Sequence, residues 1–314
     1  MRNYLDLTRS AKYPFMRDVF IDKIYEEAKK DKDIFFLTPD MGAPSLDKFR
    51  VEMPKQFIHC GISEQHMIAM AAGLSLQGKK VYCYAMAPFI TSRCYEQIKC
   101  SIAAMDQNVN LIGIGVGLGY ADAGPTHYTT EDIATMRVFP NIEVLTPVDA
   151  ISTKVIAEYS VKNNGFRFIR LDRDALPDVY KETNQVNLDD GFFEVIKAND
   201  TCIISNGFLL NKLHNIIISN EVNVGLIDLF KIKPINKMLI KTLEKYKKII
   251  TIEEQWLEGG LGSLILEYLS DNKLTKEVKR YGLESKFFFE NGGREHLHNN
   301  YGLNLEKIIS TISK

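Results

Sequence analysis

The chain has 314 residues, of which 45% are hydrophobic and 25% charged, the composition of an ordinary folded protein. Its 39 basic and 40 acidic side chains leave a net charge of −1 without a basic or acidic half, which argues against a nucleic-acid-binding face or a membrane anchor. Five cysteines without a CxxC pair suggest neither a disulfide framework nor a zinc ribbon, and an early charge argues against a signal peptide, so a cytoplasmic protein is expected.

Short apolar runs, rich in β-branched and aromatic residues, alternate with helical patterns along the chain. The predicted strands cover residues 33–37, 80–84, 109–115, 142–146, 166–171, 201–205, 222–229, 248–252 and 278–281. The predicted helices cover residues 17–29, 63–77, 95–105, 150–162, 211–219 and 262–269. Strands that alternate with helices form largely parallel sheets covered on both faces, so the sequence predicts an α/β fold of three-layer αβα domains.

A polar stretch at residues 177–190 interrupts this alternation and is predicted to be a linker. A length of 314 residues also suggests two domains, at roughly 150 residues each. We therefore predict one domain over residues 1–186 and a second over 187–314. Ligands of such folds bind at the carboxyl ends of the strands, so functional side chains are expected there.

Glu64 follows a strand-like segment at residues 57–60 and lies in the first turn of the helix predicted over 63–77. A glutamate at this position commonly stabilises the helix dipole or caps a free N–H group. The alternative is a partly desolvated carboxyl group that shares a proton with a ligand nitrogen. The residues alone leave both interpretations open.

Alternating glycines at residues 113–119 precede a Gly-Pro-Thr-His turn that ends at His127. This spacing differs from that of a dinucleotide-binding GxGxxG motif and is more typical of close backbone approach near a strand end. The Gly-Pro pair supplies a rigid bend that aims His127 over the strand ends. The turn makes His127 a candidate for proton transfer or for a hydrogen bond to an oxyanion, although a lone histidine is usually structural.

Other titratable residues receive structural interpretations. Glu131, Asp132 and Arg137 are predicted to form an exposed, charged helix face, because their spacing gives poor pairing along a helix. His296 and His298 are predicted to lie in a C-terminal loop. Their i, i+2 spacing would suit a metal only on a strand or in a loop, and His59 and His66 have no second ligand at a metal-binding spacing, so we predict no metal site.

Arg17, Ser45 and Arg173 come from three separate strand-end loops and could converge on one phosphate group. Taken singly, each residue is better interpreted as a surface or capping residue. The run EGGLGS at residues 258–263 lacks the Lys-Ser/Thr of a P-loop and follows a strand predicted to end at residue 252. It is predicted to be a tight turn into a helix.

Five blocks in a fixed order carry a family resemblance: FIHCGISEQHMIAMAAGLSLQGKK, FITSRCYEQI, GPTHYTTEDIATMRVFPNIEVLTPVD, FIRLDR and EEQWLEGGLGS. Together they resemble the pyrimidine-binding and C-terminal domains of the transketolase family of thiamine diphosphate enzymes, over nearly the whole chain. The resemblance implies that Glu64 hydrogen-bonds N1′ of the cofactor's aminopyrimidine and thereby helps to activate the thiazolium carbon. It also implies that His127 contacts hydroxyl groups of the substrate.

The resemblance further implies that Phe89 packs around the aminopyrimidine and that Arg17, Ser45 and Arg173 grip a sugar phosphate. Three positions depart from the family pattern. Met86 stands where many members have a stacking aromatic residue, so that thioether packing would replace the stacking. Ala123 stands where many members have an aspartate, and Gly115 replaces a histidine. These changes leave the hydroxyl pattern of the substrate open.

By resemblance, such enzymes hold the diphosphate and Mg²⁺ with a Gly-Asp-Gly motif on a separate domain, and no Gly-Asp-Gly occurs in this sequence. The resemblance therefore implies an N-terminal partner subunit that carries the diphosphate and Mg²⁺ site. Self-association would complete a heterotetramer with active sites at its interfaces.

The leading hypothesis is the C-terminal subunit of a split transketolase that moves a two-carbon ketol unit between sugar phosphates. The β chain of a 2-oxo acid dehydrogenase and a deoxyxylulose-phosphate-synthase-like subunit are the enzymatic alternatives. A non-catalytic paralogue is a third alternative, motivated by Met86 and Ala123. Glu64 argues against that paralogue, because a carboxylate at a buried interface costs free energy unless it is paired.

Overall fold

The fold is described by a computed structural model over residues 12–312. The strands are β1 Ile34–Thr38, β2 Phe57–His59, β3 Lys80–Met86, β4 Val109–Ile114, β5 Ile142–Leu145, β6 Phe166–Leu171, β7 Phe193–Ile196, β8 Thr201–Ser205, β9 Gly225–Asp228, β10 Lys231–Lys233, β11 Lys248–Trp256 and β12 Glu277–Leu283. The α-helices are Met16–Lys30, Leu46–Glu52, Glu64–Leu76, Ala87–Ile90, Tyr95–Gln97, Asp132–Met136, Ala150–Lys162, Gly207–Ser219, Met238–Glu244, Leu261–Asp271, Gly293–Asn300 and Leu305–Ile312. Short 3₁₀ turns cover Ser92–Cys94, Ala121–Ala123 and Thr183–Gln185, and a π-helix covers Ile98–Ala103.

The first sheet has seven strands in the order β10-β5-β6-β4-β3-β1-β2. Its strands pair in parallel, except that β10 runs antiparallel to β5. Every residue of the central strands β4 and β6 is buried, as expected for a parallel sheet covered on both faces. The predicted α/β fold class is confirmed.

The second sheet has five strands in the order β12-β11-β8-β9-β7, with β7 antiparallel at one edge. One strand from the second half of the chain crosses over, because β10 pairs with β5 of the first sheet through Lys231 opposite Leu145. The two sheets also share apolar core, in which Val148 of the first half and Leu209 of the second belong to one buried cluster. The division at residue 186 therefore stays a prediction, since β10 lies after it.

Two local predictions need correction, and two strands are missed. The strand predicted to end at residue 252 continues as β11 to Trp256, because buried polar residues such as Glu253 and Glu254 extend it where no apolar run marks it. The helix predicted over 95–105 is α-helical only at Tyr95–Gln97 and continues as a π-helix. Strands β7 and β10 are not predicted, since both are short edge strands with half-buried residues.

The turn predicted at residues 258–263 is confirmed, because Gly260 is the N-cap of the helix Leu261–Asp271. Residue 260 must be a glycine, because its backbone leaves no space for a side chain. A Cβ atom on Gly260 would lie 2.0 Å from Glu253 Oε2, which accepts the N–H of Leu261. Across residues 12–312, no helix is long and apolar enough to cross a membrane.

Candidate functional site

The candidate site lies at the carboxyl edge of the first sheet, where the ends of neighbouring strands meet. β3 ends at Met86 and passes directly into the short helix that carries Phe89. β2 ends at His59, and the loop after it leads to Glu64 in the first turn of its helix. Because β1 pairs in parallel with both β2 and β3, these segments emerge at the same edge.

Glu64 is buried, with 5% of its surface exposed, and Arg93 is its ion-pair partner. Arg93 Nη1 donates a hydrogen bond of 2.7 Å to Glu64 Oε2. The carboxylate also lies at the N-terminus of a 13-residue helix, where the helix dipole favours negative charge. The Arg93 side chain is 41% exposed, so one member of this ion pair contacts solvent while the other is buried.

Arg93 connects Glu64 with two other residues that the sequence singles out. Its guanidinium carbon lies 4.1 Å from the centre of the Phe89 ring. The Phe89 ring in turn meets the His127 ring edge to face, with 5.2 Å between the ring centres. Glu64, Arg93, Phe89 and His127 thus form one contiguous group, which we call the Glu64 cluster.

Sequence reasoning did not assign a role to Arg93. The residue lies inside the block FITSRCYEQI, which supports the family resemblance only as a whole. An isolated arginine carries no spacing signal, and its contact with Glu64 spans 29 residues of sequence. Only the packing of the helix that begins at Glu64 against the 3₁₀ turn Ser92–Cys94 brings the two together.

Two residues of the turn before His127 define its geometry: Gly124 allows the bend, and Thr126 contacts the imidazole ring. Gly124 has φ of 77°, a conformation that L side chains rarely adopt, and its carbonyl accepts the N–H of His127 at 3.0 Å. Thr126 Oγ1 lies 2.8 Å from His127 Nδ1, close enough for a hydrogen bond. Since Nδ1 has this partner, Nε2 is the ring nitrogen left for a ligand.

The departures from the family pattern have structural counterparts. A Cβ atom on Gly115 would lie 2.1 Å from the Tyr120 ring, so Tyr120 occupies the space of any side chain at residue 115. Asp122 Oδ1 accepts a hydrogen bond of 2.6 Å from Arg173. Met86 is half-buried at the end of β3, three residues before Phe89.

The three residues predicted to grip phosphate form two groups. Ser45 Oγ donates to Asp18 Oδ1 at 2.8 Å, and Arg17 Nε lies 3.6 Å from the same oxygen. Arg173 pairs with Asp122 instead and stacks on Tyr120, 4.7 Å from the ring centre. A backbone bridge between residues 15 and 175 brings the segments of Arg17 and Arg173 side by side.

Asp132 does not lie on an exposed face, and this prediction is wrong. Its carboxylate is fully buried and accepts hydrogen bonds from Arg170 Nε at 2.7 Å and from Nη2 at 3.2 Å. Arg170 also donates to Thr146 Oγ1 at 3.0 Å. Glu131 and Arg137 are half-buried, and Arg137 pairs with Glu267. Spacing along one helix could not indicate these partners, because they lie on other elements.

His298 does not lie in a loop either. It is buried on the helix Gly293–Asn300 and hydrogen-bonds through Nε2 to Glu254 Oε1. Arg294, on the same helix, joins Glu254 to Asp172 of the first half, with 2.7 Å from Nη2 to Asp172 Oδ2. Burial alone would raise the pKa of Glu254, but Arg294 and His298 outweigh it and lower the pKa to about 2. His296 lies on the same helix and is exposed.

This network of Asp172, Glu254, Arg294 and His298 links the two halves of the chain through buried charges.

Within residues 12–312, no group of three or more His, Cys, Asp or Glu side chains is arranged to hold a metal ion.

Two family models match the chain, one after the other. The transketolase pyrimidine-binding domain matches residues 12–179, and the transketolase C-terminal domain matches residues 194–308. The chain is 33% identical over 306 residues to one of the subunits of the apulose-4-phosphate transketolase of Phocaeicola vulgatus, covering 94% of this chain and 95% of that subunit.

A second kind of relative is about twice as long. The 1-deoxy-D-xylulose-5-phosphate synthase of Cytophaga hutchinsonii is 30% identical to the chain, which covers 49% of that enzyme with 98% of its own length. Among solved structures, one described as a split-gene transketolase, inactive β4 tetramer, superposes with a TM-score of 0.84 at 26% identity, covering 95% of this chain and 97% of the other. The chain, with its pyrimidine-binding and C-terminal domains, therefore belongs to the transketolase family.

Proposed function

We propose that the chain is the C-terminal subunit of a two-chain, thiamine diphosphate-dependent transketolase that transfers a two-carbon ketol unit between sugar phosphates. The observation that carries the proposal is the Glu64 cluster, which brings a buried carboxylate, an aromatic ring and an imidazole together at the carboxyl edge of the first sheet. The Phocaeicola relative supports the split organisation, since it is a single subunit of a transketolase and this chain matches it over 95% of its length.

The residues present fit an aminopyrimidine. A buried carboxylate is the group that such a ring needs at one nitrogen, and Glu64 is held by a half-exposed arginine that a ligand could displace. Phe89 and Met86 supply the apolar side chains for its faces. Thiamine diphosphate, when bound, supplies a thiazolium carbon that accepts the two-carbon unit and delocalises the electron pair left by C–C bond cleavage.

Three residues of the cluster, Glu64, Phe89 and His127, then have a defined task. Glu64 holds a proton between its carboxyl group and the ring nitrogen N1′, and burial keeps competing water away from that proton. Phe89 positions the ring from one side. Thr126 orients His127 through Nδ1. Nε2 of His127 then hydrogen-bonds a hydroxyl group of the substrate and stabilises the charge that develops on that hydroxyl oxygen.

The phosphate of the substrate is proposed to bind near Arg17, Ser45 and Arg173. Arg17 Nε supports this assignment, because it is buried and has no hydrogen-bond partner among the described residues. The bridge between residues 15 and 175 supports a shared site for Arg17 and Arg173. A phosphate would compete with Asp18 and Asp122 for these guanidinium groups.

The diphosphate and Mg²⁺ are proposed to be held by an N-terminal partner subunit, and two copies of each chain are proposed to form a heterotetramer. The Phocaeicola relative, a single subunit of a transketolase, supports a two-chain enzyme, and the solved structure described as an inactive β4 tetramer of a split-gene transketolase supports self-association of chains like this one. We propose domains of residues 1–186 and 187–314, since one family model ends at residue 179 and the next begins at residue 194.

We also propose a cytoplasmic location. The five cysteines support it as free thiols, the form that a reducing compartment maintains.

A deoxyxylulose-phosphate-synthase-like subunit is the second candidate, favoured by 30% identity over nearly the whole chain. The two activities differ in their donor, because a synthase of this kind releases CO₂ from a 2-oxo acid, whereas a transketolase cleaves a ketose.

The test is reconstitution. The chain is co-expressed with a partner that carries a Gly-Asp-Gly motif, and the purified complex receives thiamine diphosphate, Mg²⁺, an aldose phosphate and either a ketose phosphate or pyruvate. We expect cofactor binding by the complex and ketol transfer from the ketose. CO₂ release from pyruvate without ketol transfer would overturn the proposal. The synthase would replace it if that release requires the aldose phosphate, and a 2-oxo acid dehydrogenase β chain if it does not. A complex that binds no cofactor would point to the non-catalytic paralogue.

A further inference from the structure

Tyr128, the residue after His127, connects the Gly-Pro-Thr-His turn to the second half of the chain. Its hydroxyl accepts the backbone N–H of Phe288 at 2.8 Å and donates to the carbonyl oxygen of Phe288 at 3.3 Å. Both side chains are buried, and their ring centres lie 6.2 Å apart. One hydroxyl therefore satisfies both backbone groups of a residue 160 positions away in sequence.

A second connection lies two residues further on. The backbone N–H of Trp256, at the end of β11, donates to the carbonyl oxygen of Thr130 at 3.1 Å. Between Tyr128 and Thr130, Thr129 pairs with Gly117, which lies so close to the Glu254 carboxylate that a Cβ atom would not fit. Residues 128–130 are thus held between the loop after β4 and the second half of the chain.

His127 and Tyr128 contact different parts of the molecule. The His127 ring meets Phe89 of the Glu64 cluster, whereas the Tyr128 ring meets Phe288. Because these are consecutive residues, a displacement of Tyr128 moves the backbone that carries the imidazole. A misplacement of about 1 Å at a reacting group is enough to cost about a hundredfold in rate.

Phe288 is a firm anchor in an otherwise exposed loop. Of residues 284–290, all of them described, Phe288 is the one that is buried. Its ring also packs against Tyr301, with 4.6 Å between ring centres. The flanking Phe287 and Phe289 are exposed, so the attachment of this loop to the turn depends on Phe288 and its bonds to Tyr128.

We propose that Tyr128 is a positioning residue, through which the C-terminal half of the chain holds His127 in place against the Glu64 cluster. The proposal rests on the role of His127 in the proposed function. It assigns the C-terminal half a part in the chemistry, in addition to any part in assembly.

The test compares Tyr128→Phe with Tyr301→Phe in the reconstituted two-chain complex. Tyr128→Phe removes only the hydroxyl that binds the Phe288 backbone. Tyr301→Phe removes a hydroxyl from the same aromatic group, but one that bonds to the exposed Glu290. We expect Tyr128→Phe to lower kcat about tenfold while the affinity for thiamine diphosphate stays within about twofold, and Tyr301→Phe to leave both unchanged.

A loss of cofactor affinity equal to the loss of kcat would indicate general loosening and overturn the proposal, as would an unchanged kcat. His127→Ala is measured in parallel. If His127→Ala is fully active, the proposed role of His127 fails; if it is inactive while Tyr128→Phe is active, only the positioning role fails.

A readout independent of activity uses the isolated chain with ¹³C-labelled histidine rings. The resonance that disappears in His127→Ala identifies His127. We expect this resonance to shift in Tyr128→Phe and to stay in place in Tyr301→Phe. An unmoved resonance in Tyr128→Phe contradicts the proposal even if no substrate has been found.

Discussion

Arg93 lies across Glu64, with 2.7 Å from its Nη1 to Oε2 of the carboxylate, and the same guanidinium stacks on Phe89. The carboxylate is buried, whereas the arginine is half-exposed. A ligand nitrogen that binds Glu64 must therefore share the carboxylate with Arg93 or displace it. Because Phe89 also contacts His127, a change at Arg93 reaches both proposed functional groups.

Replacement of Glu64 by glutamine tests the proton-sharing role. The glutamine side chain would keep the shape of the glutamate but could not exchange a proton with a ring nitrogen, so we expect ketol transfer by the reconstituted complex to fall by at least about a hundredfold. Glu96→Gln is the matched control, since Glu96 is exposed and lies three residues after Arg93. Steady-state rates with both variants check the prediction, and full activity of Glu64→Gln would remove Glu64 from the mechanism.

Replacement of Arg93 by glutamine tests the arginine that sequence reasoning missed. The variant loses both the charge beside Glu64 and the stack on Phe89, so we expect kcat to fall about tenfold. We expect a loss of stability of about 2 to 3 kcal/mol, because Arg93 is partly exposed but the buried Glu64 carboxylate loses its ion-pair partner. Rates and urea unfolding measure the two effects.

Arg50→Gln is the control for Arg93→Gln. Arg50 also pairs with a carboxylate, Asp47 at 2.9 Å, and lies over a phenylalanine ring, that of Phe57 at 5.7 Å, but it is not part of the Glu64 cluster. Equal losses of kcat in both variants would show that any lost surface arginine has this effect and would contradict the prediction.

Arg17→Gln tests the proposed phosphate grip. Arg17 Nε is buried without a hydrogen-bond partner among the described residues, so a bound phosphate would satisfy it. We expect KM for a phosphorylated ketose to rise about tenfold or more, the effect of losing one charged hydrogen bond, while KM for the unphosphorylated sugar stays the same. If KM rises equally for both sugars, Arg17 does not recognise the phosphate.

The sequence predicts those parts of the fold that are buried as continuous runs. β4 and β6 are buried at every residue, and both coincide with predicted strands. β10 is a three-residue strand with two half-buried lysines, and its pairing with β5 depends on how the two halves meet. β11 extends beyond its apolar run, because its last residues include polar side chains that are buried between the two halves. Such elements follow from tertiary packing, which one segment cannot reveal.

The same reasoning separates the site residues. Glu64 and His127 stand out because each follows a strand end in a recognisable turn. Arg93, Asp132 and His298 acquire their roles through partners 29, 38 and 44 residues away in sequence. A charged residue whose partner lies on another element looks in sequence like any solvated one, so all three were missed or misassigned.

The buried network between the two halves predicts a specific dependence of stability on pH. Glu254 is buried, which opposes ionisation, yet Arg294 and His298 lower its pKa from an ordinary 4.5 to about 2. A lowered pKa in the folded state adds stability above pH 4.5, and that stability is lost as the pH falls from about 4.5 toward 2. We expect the free energy of unfolding, measured in urea, to decline over this window.

Glu254→Gln isolates the contribution of this carboxylate. Near neutral pH we expect the free energy of unfolding to fall by about 3 kcal/mol, because the buried Arg294 loses one of its two buried carboxylate partners. Asp172 is the partner that remains. Between about pH 4.5 and 2 the variant should lose less stability than the wild type, since it has no carboxylate left to protonate. Glu267→Gln is the control, because Glu267 also pairs with an arginine but is 55% exposed, and its loss should cost under about 1 kcal/mol. Parallel acid slopes for the wild type and Glu254→Gln would mean that other carboxylates control the acid transition.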